Sequence, residues 1–405
     1  MSGLRRELGL TEAVVYGVGL ILGAGIYAVL GEAAGVAGPS VVVSFLLAAL
    51  VASLTGLSYA ELSSIYPRAE GDYIYVREAF DRELVSDATA LGRLGVGVVS
   101  SAAVALAFAG YLSAFVDLPA VPVAAVLVVA TVAVNAWGIE LSTRLNVAFT
   151  AVEVAGLVVV VALGAGAWGS VDPLQAPNGV GGVLEASFLV FFAYLGFGSI
   201  VTLSEETRDA SRTVPRAVLL SIAITTVLYV LVGLSAVALV DPQALGASSS
   251  PLAAVAGAGW GPTGAALLAV IALFSTTNTV LLLQVSTSRL LYGVSKSEYH
   301  VFPAALSRVH PTRRTPHLAA AAVGVATLPF LLLGDVGAVA GLANLVLLAV
   351  FVLVNAALLW LRFTRPDGDR GFRAPLNAGR LSLTALAGLV SSVAFALFYI
   401  SMWLG

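Results

Sequence analysis

Residues 11–37 read TEAVVYGVGLILGAGIYAVLGEAAGVA. The run is long enough to cross a hydrocarbon core, which takes about 20 predominantly apolar residues. Its charges are confined to Glu12 and Glu32, and four glycines, Gly17, Gly19, Gly23 and Gly25, crowd its middle. A second run, 183–205, reads VLEASFLVFFAYLGFGSIVTLSE and carries Gly196 and Gly198 at a comparable depth. Small residues let helices approach closely in lipid, so one reading is packing. The other is a discontinuous helix, whose unwound backbone is tolerated at that depth only where it lines a polar cavity or lies against protein.

Working outward, apolar runs recur at 11–37, 40–66, 84–115, 119–138, 143–168, 183–205, 217–240, 263–292, 316–334, 336–361 and 381–404. The glycine-rich runs are therefore the first and the sixth, equivalent members of two successive five-helix blocks. Matched interruptions in two halves are the best sequence pointer to a transporter's binding site. The third run is the softest, because Ser86, Asp87 and Arg93 interrupt its start. That helix either begins late or turns its first residues against protein.

Composition agrees. Of 405 residues, 59% are hydrophobic and 11% charged, with a mean hydropathy of +0.98. A soluble domain is nearer one quarter charged, so the fold class expected is an all-α polytopic membrane protein of about eleven spans. Cysteine is absent and the histidines are His300, His310 and His317, all in one short stretch. Thiolate chemistry and metal clusters are excluded, and neither a metal nor another cofactor is expected. Met1 to Thr11 lacks a signal-peptide pattern.

Placing the basic residues tests the span count independently of hydropathy. Arg5 and Arg6 precede the first span; Arg68, Arg77 and Arg82 follow the second; Arg144 follows the fourth. Arg208, Arg212 and Arg216 follow the sixth, Arg289 to Arg314 the eighth, and Arg362 to Arg380 the tenth. All fall on one side of an eleven-span serpentine, and Arg93 is the one left over. The opposite loops carry Asp117, Asp172, Asp241 and Asp335. The positive-inside rule makes the arginine-bearing side cytoplasmic. The expectation is a multi-pass cell-membrane protein with its N-terminus inside and its C-terminus outside.

Three stretches carry a family resemblance. GLILGAGIYAVLGEAAGVAGPSVVVSFLLAALVASLTGLSYAELSSIYPRAEGDYIYVREAF, from Gly19, resembles the opening of the amino acid–polyamine–organocation superfamily. FFAYLGFGSIVTLSEETRDASRTVPRAV, from Phe191, resembles its sixth helix and the following loop, and ALFSTTNTVLLLQVSTSRLLYGVSK, from Ala272, its eighth. The resemblance implies the leucine-transporter fold: two inverted five-helix repeats, here 11–168 and 183–362, with discontinuous first and sixth helices and an extra helix at 381–404. It implies amino-acid transport by alternating access. Carried over residue by residue, Gly23, Ala24, Gly25 and Ile26 would hold a substrate carboxylate through backbone N–H groups. Phe192, Ala193, Tyr194 and Leu195 would offer carbonyls to its ammonium, with Phe192 closing the pocket. Many relatives have an acidic residue after the GF of the sixth helix; here it is Gly198, which argues for a neutral amino acid over a cationic one.

Glu153 lies about ten residues into the fifth span, near mid-bilayer at ~1.5 Å per residue. A carboxylate there is costly unless paired, hydrated or protonated, and is a functional hypothesis by default. Several relatives have a lysine at the similar position, standing in for a sodium ion; here the sign is reversed. Three readings stand: a proton carrier, a cation ligand with Ser275 and Thr276, or a structural hydrogen bond. Glu61 and Arg77 suggest a gate network on the arginine-bearing side, and Glu205 and Glu206 a loop ion pair or gate near Arg208 and Arg212. Glu32 falls in the outer part of the first span, where an outer vestibule would expose it. Asn278, Asn344 and Asn355 read as interhelical hydrogen-bonders.

The resulting function is proton-coupled uptake of an amino acid, with exchange, sodium coupling or sensing as alternatives on one scaffold. The partners are the amino acid, a proton or sodium, and the bilayer, with no nucleic acid. A channel would need a continuous polar lining. An intramembrane enzyme would need a nucleophile–base pair or metal cluster. Neither pattern is present.

Overall fold

The first span is two helices. In the computed structural model, which describes residues 8–68, 71–137, 143–205, 207–295, 302–313, 315–365 and 370–404, α1 (Leu10–Leu22) stops where Gly23 takes φ 1°, ψ −166°. α2 (Gly25–Ala37) restarts after Ala24. Gly38, at φ +65°, ends α2, and a 3₁₀ turn over Gly38–Ser40 leads into α3 (Val41–Ile65). Then follow α4 (Asp72–Phe80), α5 (Glu83–Leu112), α6 (Ala120–Trp137), α7 (Thr143–Gly164) and α8 (Gly179–Phe191). The rest comprises α9 (Ala210–Leu239), α10 (Pro242–Gly246), α11 (Pro251–Ser295), α12 (His317–Leu331), α13 (Val336–Thr364) and α14 (Leu383–Leu404). A two-stranded hairpin, β1 (Asn377–Ala378) with β2 (Leu381–Ser382), joins α13 to α14.

Among the described residues, nine helical runs are long and apolar enough to cross a membrane, accompanied by the shorter apolar helices α1 and α12. The protein is all-α and polytopic, and each of the eleven apolar runs of the sequence falls on a helix of this set. The polar start of the third run is helix from Glu83 onward, and Ser86 is fully buried. α4 packs against that start. Ser86 and Arg93 face protein, the latter paired with Asp72, while Glu83 is exposed.

The sixth span is interrupted differently from the first. It is α-helical to Phe191 and then a 3₁₀ helix over Phe192–Glu205. Runs of 3₁₀ beyond 3–4 residues are uncommon, because the tighter winding worsens hydrogen-bond geometry. Packing therefore sustains it: the segment lies against α1, α9 and α3. A Cβ on Gly196 would collide with the Leu20 carbonyl, and one on Gly25 would come within 2.8 Å of Ala193 Cα. The two interrupted spans touch backbone to backbone.

Two helix groups result. α1, α2, α3, α8, the 3₁₀ segment and α9 pack together, and α5, α6, α11 and α12 form a second set. α7 lies against both α9 and α11, while α13 lies against α5, α3 and α14. α3 also packs against α9, α5 against α11 and α6 against α12. The glycine contacts yield a contrast. Gly196→Ala should cost about 1–3 kcal/mol, the range for overpacking. Gly198→Ala, whose added Cβ would find its nearest neighbour at 3.5 Å, should be tolerated. Thermal melting of the two purified variants checks this; equal melting temperatures would refute the close contact.

Candidate functional site

The break in the first span exposes main-chain groups from both half-helices. On the α2 side the first helical bond runs from the Ala28 N–H to the Ala24 carbonyl at 3.0 Å. The N–H groups of Gly25, Ile26 and Tyr27 therefore precede the ladder and lie at the positive end of the α2 dipole. The Ala24 N–H is already engaged, donating to Thr279 Oγ1 of α11 at 3.0 Å. On the α1 side, the Gly23 N–H returns to the Gly19 carbonyl at 3.4 Å, so the carbonyls beyond it need other donors.

Tyr229 of α9 supplies one. Its fully buried hydroxyl lies 2.8 Å from the Ile21 carbonyl, 3.4 Å from that of Leu22 and 3.1 Å from that of Ala193. A tyrosine hydroxyl has one proton, so it donates to one of the three at a time. The same atom thereby joins the end of α1 to the start of the 3₁₀ segment.

The structure brings the two sequence-predicted sets together. Gly25 packs against Ala193; Ala24, Gly25, Ile26, Phe192, Ala193 and Tyr194 are buried, while Gly23 and Leu195 are half-buried. The Tyr194 side chain turns away, its hydroxyl donating to the Phe45 carbonyl of α3 at 3.3 Å and its ring standing edge-on to Tyr229. A cavity of about 270 Å³ approaches from the face opposite the arginines, reaching down to Tyr27 between Glu32, Ser248, Ser249 and Asp335. Glu32 does line this vestibule, its carboxylate resting against the backbone of Gly337.

Glu153 on α7 is 3% exposed, and its Oε1 lacks a hydrogen bond. Ser275 of α11, fully buried, turns its hydroxyl toward the Glu153 carboxylate. Thr276 is directed elsewhere, bonding back to the Ala272 and Leu273 carbonyls of its own helix at 2.7 and 3.2 Å. Tyr27 donates its hydroxyl to the Glu153 main-chain carbonyl at 3.2 Å, and Tyr111 donates to the Tyr27 carbonyl at 3.0 Å. Glu153 thus sits one residue's reach from the start of α2. Among the described residues no group of His, Asp and Glu could hold a metal ion.

On the arginine-bearing face the pairing differs from what Glu61 and Arg77 suggested. Glu61 is fully buried and receives a bidentate Arg362 of α13, the Ala374 N–H at 2.8 Å, and Arg370 at 3.5 Å. Arg77 instead lies along α4 beside Tyr73. Arg93, the residue outside the charge alternation, pairs with Asp72 of α4 at 2.8 Å and donates to Ser199 of the 3₁₀ segment at 3.4 Å. The Glu205 side chain and Glu206 lie outside the described residues. Asn355 links α13 to Thr55 and Ser58 of α3, and Asn344 donates to the Phe188 carbonyl at 2.5 Å, both across helices. Asn278 Oδ1 is buried without a partner. Sequence reading passed over Tyr229, Thr279 and Asp72; a lone tyrosine in the apolar run SIAITTVLYVLVGL was the available signal for the first.

The amino acid permease family model matches residues 8–403. The chain belongs to that family. It is 34% identical over 371 residues to an uncharacterized transporter of Mycobacterium tuberculosis (strain ATCC 25618 / H37Rv), spanning 88% of this chain and 81% of the relative. It is 28% identical over 400 residues to a branched-chain amino acid permease of Bacillus subtilis (strain 168), covering 92% and 84%. A methylthioribose transporter of the same organism is 26% identical over 396 residues, covering 92% and 85%. The chain is accordingly an amino acid permease, a transporter rather than an enzyme.

Two substitutions test the architecture of the site. Tyr229→Phe removes the hydroxyl shared by both breaks, a loss of about 1 kcal/mol. It should raise the half-saturation for amino-acid uptake several-fold, and an unchanged value would remove Tyr229 from the site. Glu61→Gln strands Arg362 in a buried position and should destabilise by roughly 3–5 kcal/mol. Glu78→Gln, which loses only an exposed pair with Arg365, should stay within about 1 kcal/mol. Denaturation of the two purified variants discriminates.

Proposed function

We propose that this permease is a secondary active transporter that carries a neutral amino acid across the cell membrane by alternating access, driven by protons. The observation that carries the reading is the juxtaposition of unpaired N–H groups at Gly25, Ile26 and Tyr27 with the Ala193 carbonyl beside Tyr229. Donors at a helix start suit a carboxylate, and a carbonyl suits an ammonium. A zwitterion satisfies both without a charged side chain at the break. Gly198 leaves the following position uncharged, which supports a neutral substrate. The name of the branched-chain relative points the same way, and the sugar-like substrate named for another relative would leave the helix start without an anion.

In this reading 11–168 and 183–362 are inverted repeats, supported by the meeting of α3 with α9, α5 with α11 and α6 with α12. The arginine-bearing face is cytoplasmic, as the positive-inside rule requires, and the vestibule above Tyr27 opens outward.

Glu153 is the proton carrier. Its Oε1 is buried without a partner and no basic side chain pairs with it among the described residues. Such a group is most stable neutral and becomes ionised only where water or a cation reaches it. Tyr27 ties its backbone to the start of α2, so movement of the first span alters its exposure. The facing Ser275 gives the alternative, a sodium site, its specific support.

In proteoliposomes, Glu153→Gln should abolish uptake driven by a pH gradient while sparing exchange of labelled amino acid for unlabelled. Unchanged gradient-driven uptake in that variant would refute the carrier role. Uptake that requires sodium and ignores the pH gradient would establish the alternative.

A further inference from the structure

Beneath the interruption of the sixth span lies a buried polar cluster that the substrate site does not use. Arg93 Nε is 2.8 Å from Asp72 Oδ2, with side-chain exposures of 20% and 5%. Arg93 Nη2 also donates to Ser199 Oγ at 3.4 Å. Tyr59 of α3 completes the cluster: it is fully buried, its ring lies over Gly198, and its hydroxyl faces the Asp72 carboxylate. Four elements converge here: α3, α4, α5 and the 3₁₀ segment. They meet between the Phe192–Leu195 stretch and the arginine-bearing face.

The ions are not held equally on this face. The Glu61 carboxylate is fully buried and saturated by Arg362, Arg370 and the Ala374 N–H. Among the described residues Asp72 makes one ion pair, and beyond it only the Tyr59 hydroxyl faces its carboxylate. Its helix is bounded by residues of positive φ, Gly71 at +51° and Asp81 at +48°. Of the two pairs, the one on α4 is built to release.

Separating a buried ion pair leaves two bare charges and is therefore strongly opposed. An amino acid carries the complement of both. Its carboxylate can replace Asp72 on Arg93 while its ammonium takes the Asp72 carboxylate and the Tyr59 hydroxyl. The pair then opens without stranding either ion. A solute bearing only one of the two charges always strands one. We propose that the Asp72–Arg93 pair is a zwitterion-operated latch, which lets the arginine-bearing side open only around an amino acid. This rests on the transport reading above and adds to it a second point of selection, separate from the broken helices.

The absence of cysteine makes the test direct. Ser204, in the 3₁₀ segment and 1% exposed, is replaced in the variant Ser204→Cys, and labelling by a membrane-impermeant thiol reagent is timed from the arginine-bearing side. Labelling should be slow without ligand and several-fold faster with leucine. It should stay slow with leucine methyl ester at a concentration that displaces half of the bound leucine. Adding Asp72→Asn and Arg93→Gln together should make labelling fast without leucine and unresponsive to it, whereas adding Arg93→Lys alone should keep the parental pattern. Equal acceleration by the ester, or slow unliganded labelling in the neutralised variant, would overturn the latch. Leucine counterflow in proteoliposomes separates the two readings. If it persists while leucine fails to speed labelling, only the latch falls; if counterflow is absent with every neutral amino acid, the transport reading falls and the latch with it.

Discussion

A peptide group without a hydrogen-bond partner is expensive inside hydrocarbon, and the interruption at Gly23 and Ala24 creates several at once. Most of what surrounds it can be understood as the means by which the protein tolerates that cost. Thr279 satisfies the Ala24 N–H. Tyr229 serves the carbonyls at the end of α1 and the one at Ala193. The 3₁₀ segment closes on the break so tightly that Gly25 and Gly196 have no room for a side chain. What remains unsatisfied is a short row of N–H groups at the start of α2, held in place by everything else. A site of this kind is rigid where it is paired and selective where it is not.

The charged groups divide by function along similar lines. Glu61 and Arg362 lie in a saturated network that also pins the 370–382 segment to α3, with Ser64 donating to the Phe372 carbonyl at 3.2 Å. Such a network resists separation and makes α3 and the end of α13 move together. Arg93 and Asp72 have fewer bonds, and it is Arg93 of α5 that reaches across to Ser199 of the 3₁₀ segment in the other group. Burial and the number of bonds, rather than charge itself, decide which pair can open.

Much of the fold could be read from residues. The length of the apolar runs and the one-sided arginines gave the spans, because both follow from the solvent and not from tertiary packing. The break at Gly23 was readable since glycine clusters at mid-membrane have few physical explanations. The 3₁₀ winding after Phe192 was not, because it depends on what packs against it. The same holds for side-chain direction: Ser275 and Thr276 are neighbours in sequence, yet only Ser275 turns to Glu153. Arg93 stood out as the exception to the charge pattern, but its partner Asp72 lies on a helix too short and polar to register as membrane structure. Pairings across distant segments, such as Glu61 with Arg362, require the fold itself.

In the proposed reading, unpaired N–H groups at the start of α2 receive the carboxylate of an amino acid, and the Ala193 carbonyl beside Tyr229 receives its ammonium. Thermal melting of the purified protein against the twenty amino acids tests this recognition most directly, since binding stabilises by mass action. One or a few neutral amino acids should raise the melting temperature in a concentration-dependent way, and their amides and N-acetyl derivatives should not. An equal rise with the amide or the N-acetyl form, or no rise with any amino acid, would contradict it.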